Sequence, residues 1–262
     1  MRIEEGVELA RFTTLGTGGP ARALARPESE AEVEELLRWA QERSFGVAVV
    51  GLGSNLLAAD EGVDALVLKL GGELAAVAAD RAGDSAGELE AAEPGGAYGG
   101  DFAGVLERVL VATADGSGWL TPPELGLSYR HSELRHGQVV LRAELRLRPR
   151  PPDEIKAEVR ELNTRRKEAQ PTNRRTFGSV FKNPEHELSA GRMLEACGLK
   201  GHRSGGAQIS PKHANFIENA DGATTADALA LMAEARRRAH ERFGVSLRHE
   251  VEFLGELELP EL

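Results

Sequence analysis

Hydrophobic and polar positions near the N-terminus follow first a helical and then an extended pattern. Residues 29–43 open with a capping-box sequence and continue with apolar positions at helical spacing, which predicts a helix. The apolar positions of this helix are Val33, Leu36, Leu37 and Ala40. Two short apolar runs, 47–50 and 65–68, then predict strands on either side of a glycine loop at 51–55. This arrangement of helix, strand, loop and strand is typical of an α+β domain.

The middle of the chain has the pattern of an antiparallel sheet. Residues 105–114 form an apolar run that predicts a strand, and Asp115-Gly116 favours a hairpin turn after it. Residues 139–147 alternate strictly between apolar and charged side chains, so we expect one buried and one solvated face. The predicted buried face carries Val139, Leu141, Ala143, Leu145 and Leu147.

A proline-rich stretch, residues 149–152, separates the two halves of the chain and is the predicted domain boundary. A helix is expected from about Asp153, with Ile155, Val159 and Leu162 on its apolar side. The last long helix should begin with a cap at Thr225 and end at Gly244, before a final strand over 251–254. Its predicted buried side carries Leu229, Met232, Ala235, Ala239 and Phe243.

Composition and charge narrow the classes of function. Hydrophobic residues make up 41% of the chain, too many for a disordered protein. The formal net charge of -10 gives no overall attraction to nucleic acid or to anionic lipid, so an anionic substrate needs local positive groups. The single cysteine, Cys197, permits no intrachain disulfide and fits the packing of a helix end. With neither a signal-peptide pattern nor a run of ~18 apolar residues, we expect a cytoplasmic protein that contacts no membrane.

Two glycine-rich motifs are candidates for contact with an anion. In Gly51-Leu-Gly-Ser-Asn55 the glycines let a backbone approach an anion closely, and successive N–H groups in such a turn can hold a phosphate. Taken alone, this sequence also fits a plain turn, since it has neither the third glycine of a dinucleotide fingerprint nor the lysine of a P-loop. The second motif, Phe12-Thr-Thr-Leu-Gly-Thr-Gly-Gly-Pro-Ala-Arg22, fits a flexible loop when taken alone.

The order of these and later motifs resembles the UDP-N-acetylenolpyruvoylglucosamine reductase (MurB) family between Phe12 and Gly255. The downstream motifs are Gly126-Leu-Ser-Tyr-Arg-His-Ser132, Gly178-Ser-Val-Phe-Lys-Asn-Pro184, Ala190-Gly-Arg-Met-Leu-Glu195, Gly198-Leu-Lys-Gly201, Gly206-Ala-Gln-Ile-Ser210, His213-Ala-Asn-Phe-Ile217 and Glu250-Val-Glu-Phe-Leu-Gly255. The resemblance implies an α+β protein with an FAD-binding domain of the FAD-linked oxidase (PCMH-like) type in two lobes. We therefore expect that domain over 1–148, with lobes of about 1–70 and 71–148, and an α+β substrate-binding domain over 153–262. The strand near 250–254 should complete the active site.

The resemblance also implies a reaction and its residues. NADPH reduces FAD, and hydride then passes to the enolpyruvyl ether of UDP-N-acetylglucosamine enolpyruvate, giving UDP-N-acetylmuramate for peptidoglycan synthesis. By resemblance Arg130 stabilises the developing enolate, Ser179 donates a proton to carbon and Glu250 supports the carboxylate. Outside these motifs, Arg130 would be interpreted as a surface ion-pair partner, Ser179 as a turn residue and Glu250 as a solvated carboxylate.

The expected ligand contacts follow from the same resemblance. The predicted FAD-binding residues are Gly51, Leu52, Gly53, Ser54, Asn55, Leu56, Gly96, Ala97, Tyr98 and Gly99. The predicted substrate-binding residues are Tyr129, Lys182, Asn183, Gln208, His213 and Asn215. For His213, a structural histidine is an equally good interpretation. No His or Cys cluster has the spacing of a metal site, so we expect no metal, and we expect a monomer without nucleic-acid partners.

The chain departs from the family between residues 70 and 97. Family members carry there a longer segment that supplies backbone contacts to the FAD pyrophosphate, whereas this chain has only the short stretch 71–96. The short interval from Ser132 to Arg175 resembles the class that lacks a tyrosine-bearing loop. Two hypotheses follow: a working flavin reductase, or a flavin-free relative that binds UDP-sugars or a cell-wall enzyme. The presence of Arg130, Ser179 and Glu250 together favours the first, and the short segment favours the second.

Overall fold

The computed structural model describes residues 2–76, 102–128, 131–147 and 149–262. The helices are α1 (Glu30–Glu42), α2 (Pro152–Ala169), α3 (Ala190–Ala196) and α4 (Thr225–Phe243), with short 3-10 turns at Leu9–Arg11, Gly72–Ala75 and Phe102–Gly104. The strands are β1 (Ile3–Glu4), β2 (Val7–Glu8), β3 (Pro20–Ala25), β4 (Gly46–Val49), β5 (Leu56–Ala58), β6 (Val63–Leu68), β7 (Leu106–Thr113), β8 (Gly116–Leu120), β9 (Val139–Leu145), β10 (Thr176–Ser179), β11 (Arg203–Ser204), β12 (Ala207–Ile209), β13 (Phe216–Asn219) and β14 (Glu252–Leu254).

The chain divides into two compact units. The first unit contains residues 26–47 and 70–168, and the second contains residues 2–25, 48–69 and 169–262. Both mix helices with strands, as predicted for an α+β protein. The domain boundaries drawn from the motifs at 148 and 153 stay a prediction. None of the helices in the described ranges is long and apolar enough to span a bilayer.

The second unit combines N-terminal and C-terminal strands. β3 pairs antiparallel with β1 and β2 and parallel with β6. A second, antiparallel sheet has the order β10-β13-β12-β11, and α4 packs on β11 and β12. β5 pairs parallel with β14, although these two strands lie far apart in the sequence. The buried side chains of this unit include Leu15 and Leu57 together with Phe177, Met193 and Leu231, so one core joins N-terminal and C-terminal segments.

Helix α4 is fixed at both ends by its sequence. Thr224 and Asp227 form a capping box, and Gly244 ends the helix at φ +67, a left-handed conformation that suits glycine. The predicted stop is confirmed, but the predicted cap at Thr225 is one residue late. The Thr225 hydroxyl is instead buried, 2.6 Å from the carbonyl oxygen of Ala58 and 2.9 Å from Thr17 Oγ1. On the predicted buried side Met232, Ala235 and Ala239 are buried, whereas Leu229 and Phe243 are only partly so.

In the first unit, the predicted α1 is confirmed. Ser29 Oγ accepts the Glu32 N–H as the N-cap, and all four predicted apolar residues are buried. The Glu32 carboxylate accepts the N–H of Glu28 rather than that of Ser29. The unit also contains the antiparallel sheet β8-β7-β9, whose hairpin pairs Thr113 with Gly116, so the turn lies one residue earlier than predicted.

One prediction for the first unit, the buried face of β9, is wrong beyond Leu141. The alternation of β9 ends after Leu141, since Ala143 and Leu145 are exposed. The register between β7 and β9 shifts between Leu110 and Val111, and such an irregularity changes which face the following residues occupy. The helix expected from about Asp153 is confirmed as α2, although it has no buried residue and Val159 is 47% exposed, so its apolar side is not a core face.

Candidate active site

Two of the three predicted catalytic residues lie in the second unit. Ser179 is the last residue of β10, and Glu250 lies two residues before β14. Both are half-buried. Arg130, and Tyr129 beside it, lie outside the described residues, as do the predicted FAD contacts Gly96, Ala97, Tyr98 and Gly99.

An irregularity in β10 sets the position of Ser179. β10 pairs with β13 through Thr176 and Ser179, and the register shifts between these two residues. Gly178 lies within the shift at φ +83, a conformation that side-chain-bearing residues rarely adopt. A Cβ at Gly178 would also lie 3.2 Å from the carbonyl oxygen of Ser54. The residue before Ser179 therefore packs directly against the glycine loop.

The main chain of Glu250 is held from two sides. Its N–H donates to the carbonyl oxygen of Val180 at 2.8 Å, next to Ser179. Its own carbonyl oxygen accepts Nδ2 of Asn55 at 3.1 Å. The peptide N–H of Glu252 donates in turn to the carbonyl oxygen of Asn55 at 3.0 Å. Three segments that are remote in sequence, at 51–55, 176–180 and 249–252, therefore meet at one place.

The glycine loop combines one closely packed glycine, Gly53, with one open glycine, Gly51. Gly53 has φ +70, and a Cβ there would lie 1.8 Å from the carbonyl oxygen of Phe12, so only glycine fits. The N–H of Thr14 donates to the carbonyl oxygen of Gly53 at 3.0 Å, and the hydroxyl oxygen of Thr14 lies 3.1 Å from the same carbonyl oxygen. Gly51 differs from Gly53, because a Cβ there would meet no atom of the described chain within 4 Å. Lys69 donates from Nζ to the carbonyl oxygen of Gly51.

These features fit the diphosphate of a dinucleotide cofactor. An open approach at Gly51 lets a ligand come close to the main chain, and exposed N–H groups in a tight turn suit an anion. Lys69 adds a positive charge beside the loop. The large apolar side chain of Leu52 is 87% exposed at the tip of this loop. The loop could therefore hold FAD by its backbone.

The five described substrate candidates occupy different surroundings. Lys182 is half-buried and, with Glu250, lines a cavity of about 670 Å³ to which Arg236 and Arg248 also contribute. Asn183 is exposed, and its Oδ1 accepts the N–H of Ala190 at the start of α3.

Two amide side chains among the candidates have main-chain partners. Gln208 donates from Nε2 to the carbonyl oxygen of Gly201 at 3.1 Å. Asn215 is buried, and its amide bonds both the N–H and the carbonyl oxygen of Phe181, at 3.0 and 2.8 Å. These contacts give Asn215 a structural role without any ligand.

His213 packs against the protein and accepts a main-chain hydrogen bond. Its Nδ1 accepts the N–H of Asn215 at 3.2 Å, and its ring lies edge-on to Phe216 with centroids 5.0 Å apart. A Cβ added to Gly191 would lie 2.7 Å from its Cε1, so the ring fits closely against α3. Burial, with the nearby charge of Lys200, lowers the pKa of His213. The neutral ring accepting a backbone N–H supports the structural interpretation of this histidine.

The sequence interpretation missed residues that join the site together. The main-chain N–H of Thr14 bonds the glycine loop, and its hydroxyl donates to the carbonyl oxygen of Thr176, at the start of β10, at 2.6 Å. Asp60 accepts the N–H groups of Thr225 and Ala226, each at 2.9 Å, and so adds a second cap to α4. The motif around Thr14 was visible in the sequence, but nothing local indicated its partners.

Comparison with known proteins gives a consistent result. The C-terminal domain model of UDP-N-acetylenolpyruvoylglucosamine reductase matches residues 170–254, and an FAD binding domain model matches residues 21–98. The UDP-N-acetylenolpyruvoylglucosamine reductase of Anaeromyxobacter dehalogenans strain 2CP-C is 41% identical, over 97% of this chain and 86% of the relative. That alignment extends over 284 positions, more than the 262 residues here, so some residues of the relative have no counterpart.

Further relatives agree with this assignment. UDP-N-acetylenolpyruvoylglucosamine reductase 2 of Symbiobacterium thermophilum is 39% identical over 97% of this chain and 92% of the relative. The crystal structure of UDP-N-acetylenolpyruvylglucosamine reductase (MurB) from Thermus caldophilus superposes with a TM-score of 0.78 at 34% identity. That superposition covers 97% of this chain and 99% of the other. The sequence resemblance and the shared fold therefore show that this chain belongs to the UDP-N-acetylenolpyruvoylglucosamine reductase family.

Proposed function

We propose that this chain is an FAD-dependent, NADPH-using reductase that converts UDP-N-acetylglucosamine enolpyruvate to UDP-N-acetylmuramate in the cytoplasm. The product is a precursor of peptidoglycan, so the reaction serves cell-wall synthesis and through it cell shape and division. The proposal rests on membership of the family and on the FAD binding domain match.

One observation carries the proposal. The main chain of Glu250 is bonded on one side to Val180, next to Ser179, and on the other side to Asn55 in the glycine loop. A predicted proton donor, a predicted supporting carboxylate and a predicted cofactor loop are thereby brought together. A binding module without a reaction has no physical need for all three at one place.

The residues of the chain would divide the work as follows. Bound FAD supplies the hydride that NADPH delivers to the site. The N–H groups of the glycine loop 51–56 hold the diphosphate of the cofactor, and the tight turn at Gly53 keeps their direction fixed. Gly96, Ala97, Tyr98 and Gly99 are proposed to add further contacts. Lys182, Asn183, Gln208 and Tyr129 are proposed to bind the UDP-sugar.

Three side chains are proposed to stabilise the negative charge of the enolate and to supply the proton to carbon. Arg130 stabilises the enolate through two parallel hydrogen bonds to the carboxylate, and Glu250 supports its protonated form. Ser179 delivers the proton to carbon. Since a serine hydroxyl is a weak acid, its contribution depends on position, which the glycine-containing irregularity of β10 fixes.

The first experiment asks whether the chain binds flavin. The purified protein is incubated with FAD, gel-filtered and examined by visible absorption. A bound-flavin spectrum is expected. A protein that remains colourless at saturating FAD would contradict the proposal and favour the flavin-free relative that binds UDP-sugars.

The second experiment separates the two half-reactions. Ser179→Ala should bind FAD and oxidise NADPH at the parent rate, while reoxidation of the reduced flavin by the UDP-sugar slows by about 10²-fold or more. Ser179→Cys should keep more activity than Ser179→Ala, because a thiol can still donate a proton. Ser204→Ala is the matched control, since Ser204 lies on β11 at the opposite edge of the same sheet. Stopped-flow reoxidation of Ser179→Ala at the parent rate would remove Ser179 from the mechanism.

A further inference from the structure

Asn55 makes a pair of contacts that a plain cofactor ligand does not need. Its side-chain Nδ2 donates to the carbonyl oxygen of Glu250 at 3.1 Å, and its main-chain carbonyl oxygen accepts the N–H of Glu252 at 3.0 Å. The two bonds hold the peptide group before Val251 and the peptide group after it, and Val251 itself is buried. Asn55 is thus fastened to the catalytic segment through both its main chain and its side chain.

The position of Asn55 explains the arrangement. The parallel pairing of β5 with β14 begins at Leu56 and Glu252, so Asn55 and Glu250 lie just before the ladder starts. The amide of Asn55 supplies one further bond to the Glu250 carbonyl and so extends the pairing toward the catalytic residue.

We propose that Asn55 is a positioning residue for Glu250, and that its side-chain amide acts on the second half-reaction rather than on FAD affinity. This inference rests on the proposed function. It changes the role expected for the Asn55 side chain, while the loop backbone keeps its contact with the cofactor.

The mechanism is a restraint on the Glu250 backbone. The N–H of Glu250 is fixed by Val180 and its carbonyl oxygen by Asn55, so the two peptide planes flanking its Cα are both held. These planes determine the direction of the Cα–Cβ bond and therefore the region that the carboxyl group can reach. Without the amide, this restraint on the Glu250 carbonyl is lost. A misplacement of 1 Å in a catalytic group can cost ~10²-fold in rate, so a loss of roughly 10-fold is expected from this looser restraint.

A double-mutant cycle tests the inference. The parent, Asn55→Ala, Glu250→Gln and the double variant are each measured for FAD dissociation constant, flavin reduction by NADPH and flavin reoxidation by UDP-N-acetylglucosamine enolpyruvate. Asn55→Ala should change the first two by less than about 2-fold and slow reoxidation by roughly 10-fold. In the Glu250→Gln background, Asn55→Ala should cause no further loss, because the restrained carboxyl group is already gone.

Asn219→Ala is the matched control for a general loss of protein stability. Asn219 Nδ2 also donates to a main-chain carbonyl, that of Leu15 at 3.0 Å, within the same unit and without contacting Glu250. Its melting temperature should fall at least as far as that of Asn55→Ala, whereas its ratio of reduction to reoxidation rates should match the parent.

The results distinguish three cases. A rise of about 10-fold or more in the FAD dissociation constant of Asn55→Ala makes the amide a cofactor contact and overturns the inference. An equal loss of reoxidation rate in the parent and Glu250→Gln backgrounds also overturns it, because Asn55 would then act independently of Glu250. If the parent binds FAD but is never reoxidised by the UDP-sugar, the proposed function itself fails.

Discussion

Alanine substitutions at two glycines of one loop, Gly53 and Gly51, should affect different properties: the first protein stability and the second FAD affinity. Gly53→Ala places a methyl group in a left-handed backbone at φ +70, which costs ~1–2 kcal/mol. The new Cβ would lie 1.8 Å from the carbonyl oxygen of Phe12, so the loop must move away from the segment that contains Thr14. That movement lengthens the bond from the Thr14 N–H to the Gly53 carbonyl, which contributes about 1 kcal/mol.

The expected sum for Gly53→Ala is a loss of roughly 2–3 kcal/mol in the free energy of unfolding. In a chain of this size that lowers the thermal midpoint by roughly 10 °C, measured on apoprotein by circular dichroism. Gly51→Ala is the matched control, because its Cβ would face open space and its φ is not left-handed. It should melt within about 1 °C of the parent yet raise the FAD dissociation constant by about 10-fold, since the methyl group occupies the approach to the backbone.

Each variant can refute a separate step of this reasoning. If Gly53→Ala melts with the parent, the close approach of Phe12 does not limit the loop. If Gly51→Ala binds FAD as tightly as the parent, the open side of the loop is not where the cofactor approaches. Fluorescence titration of FAD into apoprotein gives the second result without any dependence on turnover.

Three further outcomes are expected. Arg130→Lys keeps the charge but loses the forked pair of donors, so flavin reduction by NADPH should stay near normal while turnover of the UDP-sugar falls at least about 10-fold; equal damage to both would indicate a folding role. Burial lowers the pKa of His213, so the unfolded state binds a proton more readily than the folded state. The free energy of unfolding should therefore be fully present above a pH of about 6.5 and should decline as the pH falls through the folded pKa. His213→Asn, which can still accept the Asn215 N–H, should reduce that acid-induced loss in urea titrations at pH 7.5 and 5.0, and an unchanged pH dependence would exclude His213 as its source. Asp60→Ala removes both side-chain acceptors at the start of α4 and should lower the free energy of unfolding by roughly 1–2 kcal/mol in urea titrations. A change below about 0.5 kcal/mol would show that water replaces the cap.

Local patterns predicted local structure well. The α1 helix, its serine cap and its four buried residues follow from spacing alone, because an amphipathic helix is specified by neighbours three and four positions apart. The cap of α4 was placed one residue late because Thr224 and Thr225 are equivalent by residue type, and only the buried partners of Thr225 distinguish them. In β9, the alternation was correct until the register shift, which is a property of strand pairing that one strand's sequence does not display.

The candidate site was predictable as motifs but not as contacts. Ser179, Glu250 and the glycine loop were found by resemblance, which gives residue identities and order. The bond from Asn55 to the Glu250 carbonyl joins residues 195 positions apart, and no periodicity encodes such a contact. The structural partners of Asn215 were missed for the same reason, since an asparagine that binds substrate and one that holds a neighbouring strand look alike in sequence.

The parallel pairing of β5 with β14 also constrains how the protein is made. Leu56 pairs with Glu252, so the strand that follows the glycine loop has to wait for the last part of the chain to be translated. At ~5–20 residues per second, ribosomes need roughly 10–40 s to synthesise the intervening stretch. During that interval the edge of β5 has no partner from β14, and nascent chains are exposed to mispairing and to proteases. Ribosome-stalled chains that end before β14 should therefore remain sensitive to brief proteolysis near residue 56, and release of the full chain should abolish that sensitivity.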